Sequence, residues 1–217
     1  MKRILIIIFI VFLFLSLSGG IFIYFYNNNC DKQLSGSTYT ISKAELDSLQ
    51  DGDIILRHGY GFVSDMIVEK LGEQYDISHC AIISKNDSSF DVIHSVSSTL
   101  SDIDGVQSQD IKQFIHESQA NSVIIVRYKP KNGKDNSRIS FKAREYLKKQ
   151  IPFDNSFNIN DSTEFYCTEL LWKVFYNEYK DDILLGKDRE KKDHLKFDIF
   201  LDTSRFKVII NHQLRKK

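Results

Sequence analysis

The sequence predicts an α+β domain with a mostly antiparallel sheet packed against helices, preceded by one long apolar N-terminal helix. Three observations carry this. Ser78–Ser84 and Phe90–Val96 are β-branched runs joined by a turn-rich link, which reads as a hairpin. Helical segments at Ser64–Leu71, Ser108–Ser118, Ser137–Gln150 and Tyr166–Tyr179 lie among the strand runs. Ile4–Tyr26 is a stretch of 23 residues without a charge.

As a helix, Ile4–Tyr26 would measure roughly 34 Å, enough to cross a bilayer core of about 30 Å. Lys2 and Arg3 precede it, so residues 1–26 read as an anchor with the rest of the chain outside the cytoplasm, periplasmic or at the cell surface. Small residues at Ser16-Leu17-Ser18-Gly19 offer a cleavage site, in which case the domain is secreted. The apolar run is longer than a usual signal core, which favours the anchor. Residues 27–41 are polar and read as a stalk, and residues 42–217 as one domain.

Ser42 with Glu45 forms a capping-box pattern that opens a short helix to about Leu49. Asp51-Gly52 is a turn before a first strand, Asp53–Arg57, and Ser64–Leu71 reads as a helix ended by Gly72. After the hairpin, Ser97–Gln107 reads as a polar loop and Ser108–Ser118 as a helix with Ile111, Phe114 and Ile115 on its apolar side. Val123–Tyr128 is a buried strand, and Ser137–Gln150 an amphipathic helix presenting Ile139, Ala143, Tyr146 and Leu147. A helix over Tyr166–Tyr179, a solvated charged loop at Lys187–Asp193 and a last strand, Phe206–Ile210, complete the chain.

Composition narrows the function. With 42% hydrophobic residues the chain is no disordered protein, and 29 Lys+Arg against 29 Asp+Glu leave no basic surplus for a nucleic-acid partner. Three cysteines, Cys30, Cys80 and Cys167, make no disulfide framework and direct attention to a functional thiol. No CxxC, HExxH or phosphate-cradling glycine loop occurs, so neither a metal nor another cofactor is expected.

Cys167 falls in the first turn of the predicted Tyr166–Tyr179 helix. Unpaired N–H groups and the helix dipole there favour a thiolate, and the same groups suit an oxyanion. The competing reading is a buried cysteine acting as a small hydrophobe. A thiolate needs a base, and six histidines compete. His58 borders a glycine loop, His116 lies on a helix, and His194 and His212 sit in charged surroundings. His79 and His94 lie in the two strands of the hairpin. If Ser84 pairs with Ser89, they stand directly opposite one another on one face, with Cys80 and Ile82 on the other. A one-residue slip separates them. Tyr166 reads equally as a site-lining or oxyanion-donating residue and as a packing one. Glu169 reads as the partner of a buried basic group.

Gly52-Asp53-Ile54-Ile55-Leu56, Ser78-His79-Cys80-Ala81-Ile82-Ile83 with Val92-Ile93-His94-Ser95, and Tyr166-Cys167-Thr168-Glu169-Leu170 follow in that order. Together they resemble the YiiX/YebB-like permuted papain-like cysteine hydrolases of the NlpC superfamily. Pro152-Phe153-Asp154 and Phe157-Asn158 are similar to the aromatic-Asp segment upstream of that group's cysteine. The resemblance covers roughly residues 50–180 and implies a permuted papain-like fold. It makes Cys167 the nucleophile, His79 the general base and His94 the third polar member, where glutamate is usual.

The expected function is therefore an exported, membrane-anchored cysteine hydrolase that cleaves an amide or acyl bond through a thioester, with cell-wall peptides among the fitting substrates. Two alternatives stand beside it. One is a lipid acyltransferase or thioesterase similar to lecithin–retinol acyltransferase, which shares a histidine third member but has a different cysteine segment. The other is a non-catalytic binding domain of the same fold.

Overall fold

The computed structural model describes residues 2–87, 89–130, 133, 135–183 and 195–213; the Lys187–Asp193 stretch and His194 lie outside the described residues. Helix α1 (Lys2–Ser35) exposes its apolar side chains along nearly its whole length, and by length and composition it can cross a membrane. It does not end at Tyr26. The helix continues through residues 27–35 of the expected stalk, where no proline or glycine stands before Gly36. Near its end α1 meets α3 (Phe62–Leu71). The Tyr26 hydroxyl donates to Asp65 Oδ2 at 2.6 Å, the Phe62 N–H donates to Asn27 Oδ1 at 3.0 Å, and Phe22 and Tyr26 pack edge-on against Phe62.

The capping box of α2 (Lys43–Ser48) forms as its sequence requires. Glu45 N–H donates to Ser42 Oγ at 3.2 Å, and Ser42 N–H donates to Glu45 Oε2 at 2.7 Å. The strands are β1 (Ile54–Arg57), β2 (His79–Lys85), β3 (Phe90–Val96), β4 (Gly105–Asp110), β5 (Ile124–Tyr128) and β6 (Phe206–Asn211). They form one antiparallel sheet in the order β4-β3-β2-β1-β5-β6.

Both faces of the sheet are covered, which explains why its central strands read as unbroken apolar runs. Ile54, Leu56, Cys80, Ile82, Ile93, Ile124 and Val126 face α5 (Ser137–Lys148) and α6 (Cys167–Tyr179), which contribute Ile139, Ala143, Leu170, Leu171 and Phe175. Alternate residues, Ile55, Ala81, Ile83, Val92 and Ile125, pack on α4 (Ile111–His116) through Ile111, Phe114 and Ile115, with Leu49 and Tyr39 from the N-terminal approach.

One strand departs from the expectation. Residues expected as loop and helix start form β4, the edge strand, whose sequence GVQSQD has a single branched apolar residue. Six backbone pairs with β3, from Val96↔Gly105 to Asp91↔Asp110, hold it despite that composition. Helix α4 begins only after Asp110, whose carboxylate accepts the N–H groups of Lys112 and Gln113 as its N-cap.

The hairpin register also needs correction. Ser84 pairs with Asp91 and Lys85 with Phe90, rather than Ser84 with Ser89. Four residues still separate the paired ends, but they are 86–89 instead of 85–88, so the pairing moves by two positions. A shift of two preserves the face of every side chain.

Candidate active site

Cys167 is the first residue of α6, and Tyr166, its N-cap, supplies no side-chain cap. Two bonds before the helix fix its approach to the sheet. Ser95 Oγ on β3 donates to the Phe165 carbonyl at 2.5 Å, and Phe165 N–H donates to the Pro152 carbonyl at 2.9 Å. The loop between α5 and α6 is organised by buried Asp154, which accepts from Ser156 N–H, Ser156 Oγ and Asn158 N–H at 2.6–2.7 Å. This is the aromatic-Asp segment of the sequence, and its role here is to shape the loop.

Cys167 packs against the core cluster that includes Cys80 of β2. Its pKa is held below the ordinary thiol value, first by a hydrogen bond from the Cys80 thiol and then by the N–H groups of Thr168, Cys80 and Cys167 itself, against the opposing effect of burial. Cys80 is fully buried, and burial pushes its thiol well up, with Cys167 adding to the shift. Of the two, Cys167 is the one whose thiolate form is favoured.

His79 and His94 are brought together on the other side of β2. His79 Nε2 and His94 Nδ1 are 2.8 Å apart, and both rings pack on Phe114 of α4, with centroids at 6.0 and 5.5 Å. They are diagonal neighbours rather than directly opposite, as the two-position register shift requires. Both imidazoles are kept neutral. Burial lowers the pKa of His79 well below 6.5, with His94 and Arg57 adding to it, and burial with Arg57 lowers that of His94 to about 3.

The structure therefore joins the two histidines to each other; no hydrogen bond joins Cys167 to His79 among the described residues. The two groups are nevertheless adjacent along the chain. The Cys80 N–H that donates to the sulfur belongs to the peptide linking His79 to Cys80. His79 is the first residue of β2, and the paired run of β2 with β3 ends at Ile82↔Ile93, so the strand edge is free where the helix arrives.

Arg57 escaped the sequence reading. It pairs with His79 across β1 and β2, its guanidinium lies 3.8 Å above the Phe114 ring, and its Nη1 donates to the Phe114 carbonyl at 2.7 Å. Burial brings its pKa down to about 10. Arg57 Nε and His94 Nε2 are both buried without a hydrogen-bond partner among the described residues. The signal in the sequence was an arginine ending an otherwise apolar strand.

Tyr166 is fully buried against Phe157, with ring centroids 5.5 Å apart. Burial is the first cause raising its phenol pKa, followed by neighbouring Glu169. Glu169 is fully buried, 3.6 Å from Lys173 Nζ, the basic neighbour its sequence position anticipated; burial raises its pKa to about 8. Two of the remaining described histidines serve elsewhere, and His116 is the last residue of α4. His58 Nε2 lies 2.7 Å from Asp65 beside α1, and His212 bridges Tyr39 and Glu45.

A helix-terminal cysteine above a sheet strand that carries a histidine, with the histidine earlier in the chain, is the arrangement of a permuted papain fold. Residues 48–199 match the model of the permuted papain-like amidase enzyme, YaeF/YiiX, C92 family. The chain belongs to that family. Its members are amidase- or peptidase-like cysteine hydrolases. Among solved structures, this family member is similar to the metalloprotein YiiX from Escherichia coli O157:H7, with TM-score 0.51 and 23% identity over 64% of this chain and 71% of that one. At that identity the likeness speaks for the fold. A comparison with curated proteins gave no match.

Proposed function

We propose that this C92-family chain is a cysteine amidase in which Cys167 is the nucleophile, His79 the general base and His94 the residue that orients it. The observation that carries the reading is the setting of the Cys167 sulfur, which has a lowered pKa and faces backbone N–H groups at an uncapped helix start.

With His79 Nε2–H donating to His94 Nδ1, the lone pair of His79 Nδ1 is the base. That nitrogen and the sulfur are not hydrogen-bonded in the unliganded chain; catalytic hydrogen bonds are commonly long in that state and close on the substrate. Cys167 then attacks the carbonyl carbon, and the N–H groups at the α6 start receive the oxyanion. The C–N bond breaks, the amine leaves with the proton from His79, and a thioester remains. Water activated by His79 hydrolyses it, releasing the acid and restoring the thiol.

YiiX is described as a metalloprotein. Among the described residues of this chain no three His, Cys, Asp or Glu side chains converge, and the His79–His94 pair offers two nitrogens already bonded to each other. The donor set does not fit a metal, and no step is routed through one. The exposed apolar α1 fits an anchor that holds the domain outside the cytoplasm, where amides of wall peptides are available.

The test is labelling of the full chain by an iodoacetamide-type probe, with peptide mapping, in wild type and in Cys167→Ala and His79→Ala. The reading expects Cys167 to be the dominant site and its labelling to be slowed in His79→Ala. Equal labelling of wild type and Cys167→Ala sinks it. Presenting labelled phospholipid in parallel and looking for acyl-Cys167 discriminates the acyltransferase.

A further inference from the structure

Helix α3 buries none of its residues. Six of its ten are apolar, Phe62, Val63, Met66, Ile67, Val68 and Leu71, and every one of them keeps some exposure. Ile67 and Leu71 pack at the margin of the core beneath α5 and α6. Phe62 and Met66 belong to neither core cluster, and they lie one turn apart on the same side of the helix. Met66 is 49% exposed. Apolar surface left open in this way marks a contact with something beyond the domain.

The height at which α3 meets α1 says what that contact is. At ~1.5 Å per residue, a hydrocarbon core of ~30 Å takes up about 20 helical residues, which counted from Ile4 reach Ile23. The Phe62 ring lies 6.3 Å from that of Phe22 and 5.7 Å from that of Tyr26. Phe62 is therefore level with the top of the hydrocarbon and the layer just above it. Aromatic side chains collect in that layer, and α1 presents Tyr24 and Phe25 there, 67% and 63% exposed. Tilting α1 lowers its rise per residue and takes Phe62 deeper.

Two hydrogen bonds hold α3 at this level, from the Tyr26 hydroxyl to Asp65 and from the Phe62 N–H to Asn27. The last turn of α3 carries Glu69 and Lys70, both exposed. An open apolar side ending in charged residues suits a helix that lies on a bilayer rather than one that enters it.

We propose that α3 is a second membrane contact: its Phe62–Met66 side lies in the headgroup layer of the bilayer that α1 crosses, so that the domain rests on the lipid instead of standing off it on a stalk. The proposal deepens the reading of α1 as an anchor and rests on it. It is independent of which residues carry the amidase chemistry.

Photocross-linking tests it. The full chain, with p-benzoylphenylalanine in place of Leu13, Met66 or Phe141, is reconstituted into vesicles of phosphatidylethanolamine and phosphatidylglycerol and irradiated. Lipid adducts are then read by mass spectrometry of the peptides. All three side chains are exposed, at 52%, 49% and 59%, so the probe displaces no core residue. Position 13 lies within α1 and reports the anchor, whereas position 141 is an open apolar residue of α5. The expected result is an adduct at positions 13 and 66, with loss of the adduct at 141. An adduct at 13 with none at 66 overturns the proposal and leaves the anchor standing. Equal yields at 66 and 141 also overturn it, because a domain tumbling on a slack tether touches lipid with any exposed apolar residue. No adduct at 13 overturns the anchor reading, and the proposal with it.

Discussion

His79 Nε2 and His94 Nδ1 meet at 2.8 Å across the β2–β3 hairpin, on the one side chain, Phe114, that also supports the guanidinium of Arg57. On the proposed reading, the contact commits Nε2 of His79 and leaves Nδ1 for proton transfer. On the same reading His94 is a neutral acceptor in place of a carboxylate, which orients the base with less stabilisation of its charged form.

Removing the base and removing its orienting partner should therefore differ in size. His79→Ala is expected to lower the rate of Cys167 acylation by about a hundredfold or more, the range of a lost general base. His94→Gln, which can still accept through its amide oxygen, should cost less than His94→Ala. Single-turnover rates measure both; equal effects of Gln and Ala would remove the orienting role.

Arg57 and burial set a pH dependence with a definite sign. The unfolded chain binds a proton at His94 near pH 6.5, whereas the folded chain does so only at about 3. Stability is thus intact above pH 6.5 and falls progressively as pH drops toward 3, because only the unfolded state gains the proton. Arg57→Met should raise both imidazole pKa values. The check is a histidine titration by NMR, and unchanged values would show that burial acts alone.

Glu169 has the opposite sign. Its folded pKa of about 8 lies above the ordinary 4.5, so its contribution to stability is complete below 4.5 and is lost as pH rises through about 8. Glu169→Gln should leave stability at pH 5 little changed and raise it at pH 8.5. Urea unfolding at the two pH values measures this, and a variant less stable at the higher pH would contradict it.

The buried Asp53 carboxylate takes Arg127 Nε at 2.7 Å and Nη2 at 2.8 Å, and also accepts the Gln50 N–H at 2.9 Å. Asp53→Ala strands the Arg127 charge at the sheet and is expected to cost about 3 kcal/mol of folding stability. Chemical denaturation measures this, and a loss within experimental scatter would show the pair to be dispensable.

The covered strands and capped helices were legible because their signals are local. The Ser42–Glu45 box, Gly72 as a left-handed helix end and the two-faced apolar strands all follow from neighbouring residues. Strand β4 was not, because its stability comes from hydrogen bonds to β3 that no side-chain pattern records. The face shared by His79 and His94 survived an incorrect register only because the error was even. Nor could spacing reveal that the Cys167 sulfur has no hydrogen bond to a His79 ring nitrogen among the described residues, since that depends on where α6 lands on β2. Arg57 was passed over because a strand-terminal arginine ordinarily reaches solvent, and this one lies over an aromatic ring.

Tyr26 and Asn27 bind α3 directly, and Asp65, their neighbour there, also holds His58. A domain on a slack tether samples a hemisphere of orientations; one clasped at the foot of its own helix keeps a fixed bearing. Where α1 stays in a bilayer, the clasp sets the height of Cys167 above the lipid.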